Sequence, residues 1–299
     1  MSTPSLEPVS KIPGLARFYV NWFVPRQPMW LQVGDLSRLG WRTDRWTPEY
    51  LLRRAGAQRV KVLRQRQPDA GYQPENIEYV DMVFGEFVQR VFTDPKGTDQ
   101  LYLNLQTGRV LEPPLLQLMG DFSIPDFYCE VPIQSVNLWL GRSHHGITTM
   151  LHHDFSDNIY VVVWGRKRVT LYPPEQAPNL YPRGDLKRVK TNGFIEYRNM
   201  NVHGMPHVTQ LDPEAPDLER FPGYEKAQAH RLDLEIAAGD VLYIPAGWFH
   251  QLQSLPGDHA AVSFFAEPPG EEGLRMMQAK VRDPAFLERV GMGARGGSG

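Results

Sequence analysis

The chain has 299 residues, is 41% hydrophobic and carries a formal net charge of -2. That length and apolar content support one large elaborated domain with a sizeable core, and the near-neutral charge excludes a global attraction to nucleic acid, leaving room only for a local basic patch. One cysteine excludes an intramolecular disulfide, no stretch reaches the roughly 18 apolar residues of a membrane span, and the amino terminus MSTPSLEPVSKIPG has no basic or apolar signal region, so a cytoplasmic protein with no membrane partner is expected.

In chain order, residues 1–13 are expected to be disordered, and residues 14–133 to form an amino-terminal α/β elaboration of the main domain. Leu15, Phe18, Tyr19 and Trp22 recur at helical spacing and stop before Pro25. Met29 to Val33 reads as a strand. Thr47 is a helix cap with Pro48 at the first helical position, and Gly56 closes that helix. Gln58 to Arg66 reads as the next strand; Arg59, Lys61, Arg64 and Arg66, with Arg53 and Arg54 just upstream, make this region locally basic. A solvated face explains these charges better than a nucleic-acid groove, but they are the one feature favouring RNA. Phe84, Phe87, Val88 and Val91 form a helical core stripe. Leu101 to Leu105 is a short strand whose Tyr102 reads as a core aromatic with a wet hydroxyl, and Pro113 to Pro132 is a connection before the barrel strands begin near Ser135.

The stretch from Thr148 to Pro174 carries the first chemistry. Alternate residues of a strand face the same way, so His152 and Asp154 share one face while His153 looks away or toward a cleft rim. Ile159 to Trp164 is nearly all apolar, as in a strand covered on both sides. Next, Lys167 shares parity with Val169 and Leu171, whereas Arg166, Arg168 and Thr170 take the polar face. A lysine on an apolar face needs a partner: a buried carboxylate of the chain, or the far carboxylate of a bound dicarboxylic acid. The proline-, glycine- and charge-rich insert at about 175–229 has no strong period and is expected to form a substrate-side rim, partly ordered by short elements. Within it, Gly204 and Pro206 argue against a helical metal pair of His203 and His207, and His144 and His145 read as loop histidines. In GDVLYIPAGWFHQLQSL, Trp248, His250 and Leu252 share a parity after the Pro245-Ala246-Gly247 turn, which makes His250 available as a third ligand. Two histidines and a carboxylate on one face are the triad of non-haem Fe(II) oxygenases, with open positions for co-substrate and dioxygen; a structural zinc site would close its shell. Residues 267–299 turn helical, with Leu274, Met277, Val281, Phe286, Leu287 and Val290 as the apolar stripe, and end in the flexible GARGGSG.

The motifs LHHDFSDN, GRKRVTLYPP and GDVLYIPAGWFHQ together resemble the JmjC-type, cupin-fold 2-oxoglutarate oxygenases, in particular their small hydroxylases: the asparaginyl hydroxylase that inhibits hypoxia-inducible factor and the tRNA wybutosine-pathway hydroxylase. The resemblance runs from about Phe18 to Phe265. It implies an all-β core, a double-stranded β-helix of the cupin jelly-roll type spanning about 134–266, with peripheral helices. It implies Fe(II) bound by His152, Asp154 and His250, with dioxygen, and 2-oxoglutarate bound by Lys167, Thr149, Tyr102 and Asn158. Asn104, His153 and Trp248 are candidate substrate contacts. His153 stands where many relatives carry tyrosine, and Ser263 where the asparaginyl hydroxylase has asparagine. The implied reaction is hydroxylation, first of a protein or peptide side chain, then of a modified tRNA base or a small metabolite. Homodimerisation through the carboxy-terminal helices, or packing of those helices on their own barrel, is equally open. A non-catalytic metal-binding scaffold is the reading from another class.

Overall fold

The computed structural model describes residues 6–65, 76–93, 101–105, 111–143, 146–198 and 205–292. Arg66, His144, His145, His203 and the 293–299 tail lie outside the described residues. The strands are β1 (Met29–Gln32), β2 (Arg59–Gln65), β3 (Ile77–Val83), β4 (Leu101–Leu105), β5 (Ile133–Ser143), β6 (Ile147–Thr148), β7 (His152–His153), β8 (Asp157–Trp164), β9 (Arg166–Tyr172), β10 (Leu186–Val189), β11 (Ile195–Tyr197), β12 (Leu232–Ala237), β13 (Asp240–Ile244), β14 (Phe249–Ser254) and β15 (Gly257–Ala266). Among the described residues they form an eight-stranded sheet, ordered β1-β13-β8-β15-β5-β4-β2-β3, and a five-stranded sheet, β12-β9-β14-β6, with β7 also paired to β14. This is the expected jelly-roll core.

Alternation along single strands builds the layers. Tyr160 and Val162 of β8 face the barrel interior, where they meet Val169 and Leu171 of β9, Leu234 and Ile236 of β12, and Ile244 of β13. Ile159, Val161 and Val163 of the same strand turn outward into a second core formed with the helices. Both faces of β8 are therefore buried, which is why its sequence is apolar from Ile159 onward. Phe18 anchors the outer core, its ring centroid 5.1 Å from those of Phe127 and Tyr243.

The helices follow their local signals. α1 (Leu15–Phe18) loosens into a wider π turn through Phe23, so the stripe from Leu15 to Trp22 still ends before Pro25. α2 (Pro48–Ala55) starts as its cap requires: the Thr47 side chain accepts the Tyr50 N–H. α3 (Phe84–Val88) buries Phe84, Phe87 and Val88, and α4 (Leu115–Leu118) interrupts the proline-rich connection. The insert contributes α5 (Ala177–Leu180), the β10–β11 hairpin and α6 (Tyr224–Gln228), which share an apolar cluster with Tyr172 and Phe249 on the outside of the smaller sheet. At the carboxy terminus, α7 (Glu271–Val281) returns to the chain's own core, with Leu274 buried and Met277 and Val281 packed beside it, whereas α8 (Pro284–Arg289) buries no residue.

One expectation changes. Residues 6–13 are ordered rather than disordered, because Val9 pairs parallel to β1: its N–H donates to the Trp30 carbonyl (2.7 Å) and its carbonyl accepts the Gln32 N–H (2.9 Å). The basic face of β2 is solvent-exposed, as expected, and acids lie beside it: in register with β3, Lys61 lies opposite Asp81 and Arg64 opposite Glu78, with Arg64 Nε donating to the Glu78 carboxylate at 2.6 Å.

The turn before β14 requires glycine. Gly247 has φ +83, and a Cβ there would stand 1.8 Å from the Gly193 carbonyl oxygen. Gly34 has a similar φ of +75 with nothing within 4 Å. Gly247→Ala should lower stability in urea denaturation by about 3 kcal/mol or more, from backbone strain plus overpacking, whereas Gly34→Ala should cost only about 1–2 kcal/mol.

Candidate active site

β14 assembles the site. Its antiparallel register with β7 sets His250 directly opposite His152, and their ring centroids are 4.3 Å apart. Asp154, two residues beyond His152, falls on the same face, and His250 Nε2 lies 3.5 Å from Asp154 Oδ2. Among the described residues, these three are the only group of histidine, cysteine and acid side chains able to bring three ligand atoms within 4.8 Å of one another.

The two histidines are oriented alike. His152 Nδ1 bonds the Met150 carbonyl (2.8 Å) and His250 Nδ1 the Trp248 carbonyl (3.0 Å). A carbonyl only accepts, so each Nδ1 carries a proton, and each Nε2 is the nitrogen turned to the shared face. Burial, and then the nearby His152, push the pKa of His250 down to about 4, so the ring is neutral at pH 7. The close approach of His250 and Asp154 is thus two lone-pair donors meeting rather than an ion pair. Two imidazole nitrogens and one carboxylate on one wall of an open cavity suit a divalent metal with several positions left free.

That cavity holds an empty volume of about 650 Å³, part of it open to solvent. Tyr102, Thr149, Asn158 and Lys167 line it together with the triad. Lys167 is 2% exposed, as its parity predicts, and its Nζ donates to Ser254 Oγ at 2.6 Å. No carboxylate of the described residues pairs with it, and burial pushes its pKa down to about 7. Thr149 Oγ1 accepts the Leu252 N–H (3.0 Å), which leaves its own O–H free to donate. Burial raises the pKa of the Tyr102 phenol, and the Asn158 Oδ1 is buried without a hydrogen bond.

The three expected substrate contacts do not line this cavity. His153 is fully buried: its Nδ1–H meets the Asp154 carbonyl (3.2 Å) and its Nε2 accepts from the Tyr197 hydroxyl (2.7 Å). The parity that turns His152 to the pocket sends His153 into the insert's apolar cluster, where burial lowers its pKa to about 3. Trp248 is 5% exposed and donates its indole N–H to the Arg26 carbonyl (2.9 Å). Asn104 lies opposite Trp139 on β4 and is half-buried. Among the lining residues not expected from sequence are Trp139, Tyr160 and Ser254. Parity could have found the last two, since Tyr160 follows Asn158 and Ser254 follows His250 on the same faces. Ser263, absent from the cavity wall, accepts the Trp139 indole N–H at 2.8 Å.

Comparison with known proteins matches the cupin-like domain to residues 25–271. The chain belongs to the cupin-like family, among its JmjC-type oxygenases. It is 29% identical to chicken (Gallus gallus) tRNA wybutosine-synthesizing protein 5 over 283 residues, 91% of this chain and 79% of that protein. The human bifunctional peptidase and (3S)-lysyl hydroxylase JMJD7 is 28% identical over 272 residues, 83% of this chain and 80% of that protein. Zebrafish (Danio rerio) lysine-specific demethylase 8 is 26% identical over 264 residues, 85% of this chain and 58% of that protein. JmjC chemistry on this barrel is therefore oxygenase chemistry, and the open His152, Asp154 and His250 triad is where a metal would serve it.

Lys167 makes the empty protein sensitive to pH. Its pKa falls from 10.5 unfolded to about 7 folded, so between those values the unfolded chain binds more protons and stability rises with pH. Lys167→Met should remove this rise and stabilise the empty protein near pH 7, read as the difference between urea midpoints of variant and wild type from pH 7 to 10.

Proposed function

We propose that the protein is an Fe(II)- and 2-oxoglutarate-dependent hydroxylase of protein or peptide side chains. The observation that carries this reading is the pairing, in one cavity, of an open two-histidine, one-carboxylate face with a buried lysine that has no acidic partner among the described residues. His152, Asp154 and His250 would hold the iron. Lys167 would receive the far carboxylate of 2-oxoglutarate through a charge-assisted hydrogen bond, with the free Thr149 O–H and the Tyr102 phenol as further donors. When bound, iron with 2-oxoglutarate and dioxygen supplies an oxidant for a substrate C–H bond, 2-oxoglutarate leaving as succinate and carbon dioxide. The chain's own residues orient and shield this chemistry: Trp139, Ile244 and Phe265 give the cavity apolar walls that exclude water.

The preference for a protein or peptide rests on the small charge of the chain and on Asp81 and Glu78 offsetting the basic face of β2. A modified tRNA base is the second reading, favoured by the similarity to wybutosine-synthesizing proteins over 91% of the chain.

His152→Ala should abolish iron-dependent succinate formation while leaving the urea midpoint near that of wild type; turnover equal to wild type would remove the assignment. In calorimetry with the Mn(II)-loaded protein, 2-oxoglutarate affinity should weaken as pH rises above about 7, by up to roughly tenfold per unit, because the lysine must take up a proton to pair with the carboxylate. Lys167→Met should bind weakly at every pH, without that slope. The RNA reading requires affinity for tRNA that drops steeply as salt rises, and a flat or absent response eliminates it.

A further inference from the structure

The two segments that carry Asp154 and His250 are far apart in sequence, and the hydrogen bonds that fix their spacing converge on one buried ion pair. Arg26 stands in the turn after the first helix, in left-handed backbone (φ 57) that is unfavourable for a residue with a side chain, and is 6% exposed. Its guanidinium forks onto Asp157: Nη1 donates to Oδ2 at 2.7 Å and Nη2 to Oδ1. Asp157 is fully buried at the start of β8, three residues beyond Asp154. Tyr243 bridges the pair, its hydroxyl donating to Asp157 Oδ2 and accepting from Arg26 Nη1, both at 3.1 Å.

From this pair, contacts run to the turn that delivers His250. The Ala246 N–H donates to Asp157 Oδ1 (2.8 Å), the Gly247 N–H to the Asp154 carbonyl (3.0 Å), and the Trp248 indole N–H to the Arg26 carbonyl (2.9 Å). Three successive residues are thus each tied to Arg26, to Asp157 or to the segment between Asp154 and Asp157. The Trp248 carbonyl then fixes the His250 ring through Nδ1. A fourth contact, from Arg26 Nε to the Asn192 carbonyl (3.0 Å), draws in the insert.

We propose that Arg26 and Asp157 are positioning residues for the metal centre, holding the turns of Asp154 and His250 at ligand spacing. Stability alone accounts poorly for the arrangement, because a buried ion pair is often matched or bettered by apolar side chains of similar volume. Here the pair bonds both ligand-bearing segments, through Asp157 on one and through Ala246 and Trp248 on the other, and a left-handed residue is tolerated to achieve it.

The inference rests on the metal-binding reading, and a Co(II) titration of the whole protein separates the two. Visible absorption and chelator competition would be followed for wild type, His152→Ala, Arg26→Met, Arg26→Lys, Asp157→Asn and Tyr243→Phe, with cooperative urea unfolding as the test of folding. Wild-type binding that His152→Ala removes supports the metal reading; wild type without such binding ends that reading and the inference with it. Given binding, Arg26→Met and Asp157→Asn should weaken Co(II) affinity at least tenfold and shift the absorption band, while Arg26→Lys, which keeps the charge but not the fork, recovers part of both. Folded variants with wild-type affinity and spectrum would overturn the proposal. If Arg26→Met and Asp157→Asn do not fold, Tyr243→Phe decides: it removes one hydroxyl from the pair, and several-fold weaker binding supports the role whereas unchanged binding and spectrum refute it.

Discussion

The register of β14 is the constraint on which the site depends. One strand places His250 opposite His152 of β7, and its other edge places Ser254 opposite Lys167 of β9. Because side chains alternate strictly, a slip of one residue would turn His250, Leu252 and Ser254 out of the barrel together. The metal ligand and the lysine's partner are therefore set by a single alignment. The Pro245–Trp248 turn feeds that alignment from one end, and its close passage against Gly193 leaves no room for a side chain at Gly247.

Two buried cations show opposite treatments of charge. Arg26 is satisfied within the chain by a carboxylate, a phenol and a carbonyl, and breaking such a pair by removing one partner typically costs about 3–5 kcal/mol. Lys167 donates to the Ser254 hydroxyl, and burial drives its pKa toward neutrality. The first arrangement fixes geometry and the second leaves an electrostatic demand that an anionic ligand can meet. Their separation in the fold matches that division, with Arg26 behind the ligand-bearing turns and Lys167 on the cavity wall.

Period-two alternation made much of this legible from sequence. It paired His152 with Asp154, put Lys167 on the apolar face of β9, and explained the uninterrupted apolar run of β8. What it could not reveal were partners brought together only by tertiary folding. Nothing local distinguishes Arg26, in a loop after a helix, from a solvated arginine, and nothing marks Asp157 as its partner across the barrel. Alternation also predicted that His153 turns from the metal face without saying what it would meet; the insert supplied Tyr197 and the apolar cluster that bury it. The β2 cations lie on the solvated face expected of them, but the acids beside them arrive on β3 and could not be read locally. Residues 6–13 show no helical or strand period, although Val9 bonds β1 through its backbone and Leu6, Val9 and Ile12 pack on the cores.

The backbone pairing of Val9 with β1 has a consequence for how the molecule behaves among its own copies. β1 is a terminal strand of the eight-stranded sheet, and a bare terminal strand offers a ladder of free N–H and C=O groups on which another polypeptide can grow. By occupying the Trp30 carbonyl and the Gln32 amide, the amino-terminal segment seals part of that margin. At the opposite margin, β3 turns Glu78 and Asp81 toward the β2 cations and leaves Tyr79 half exposed. A short, unassuming stretch before the first helix thus helps to keep a largely β protein from polymerising edge to edge.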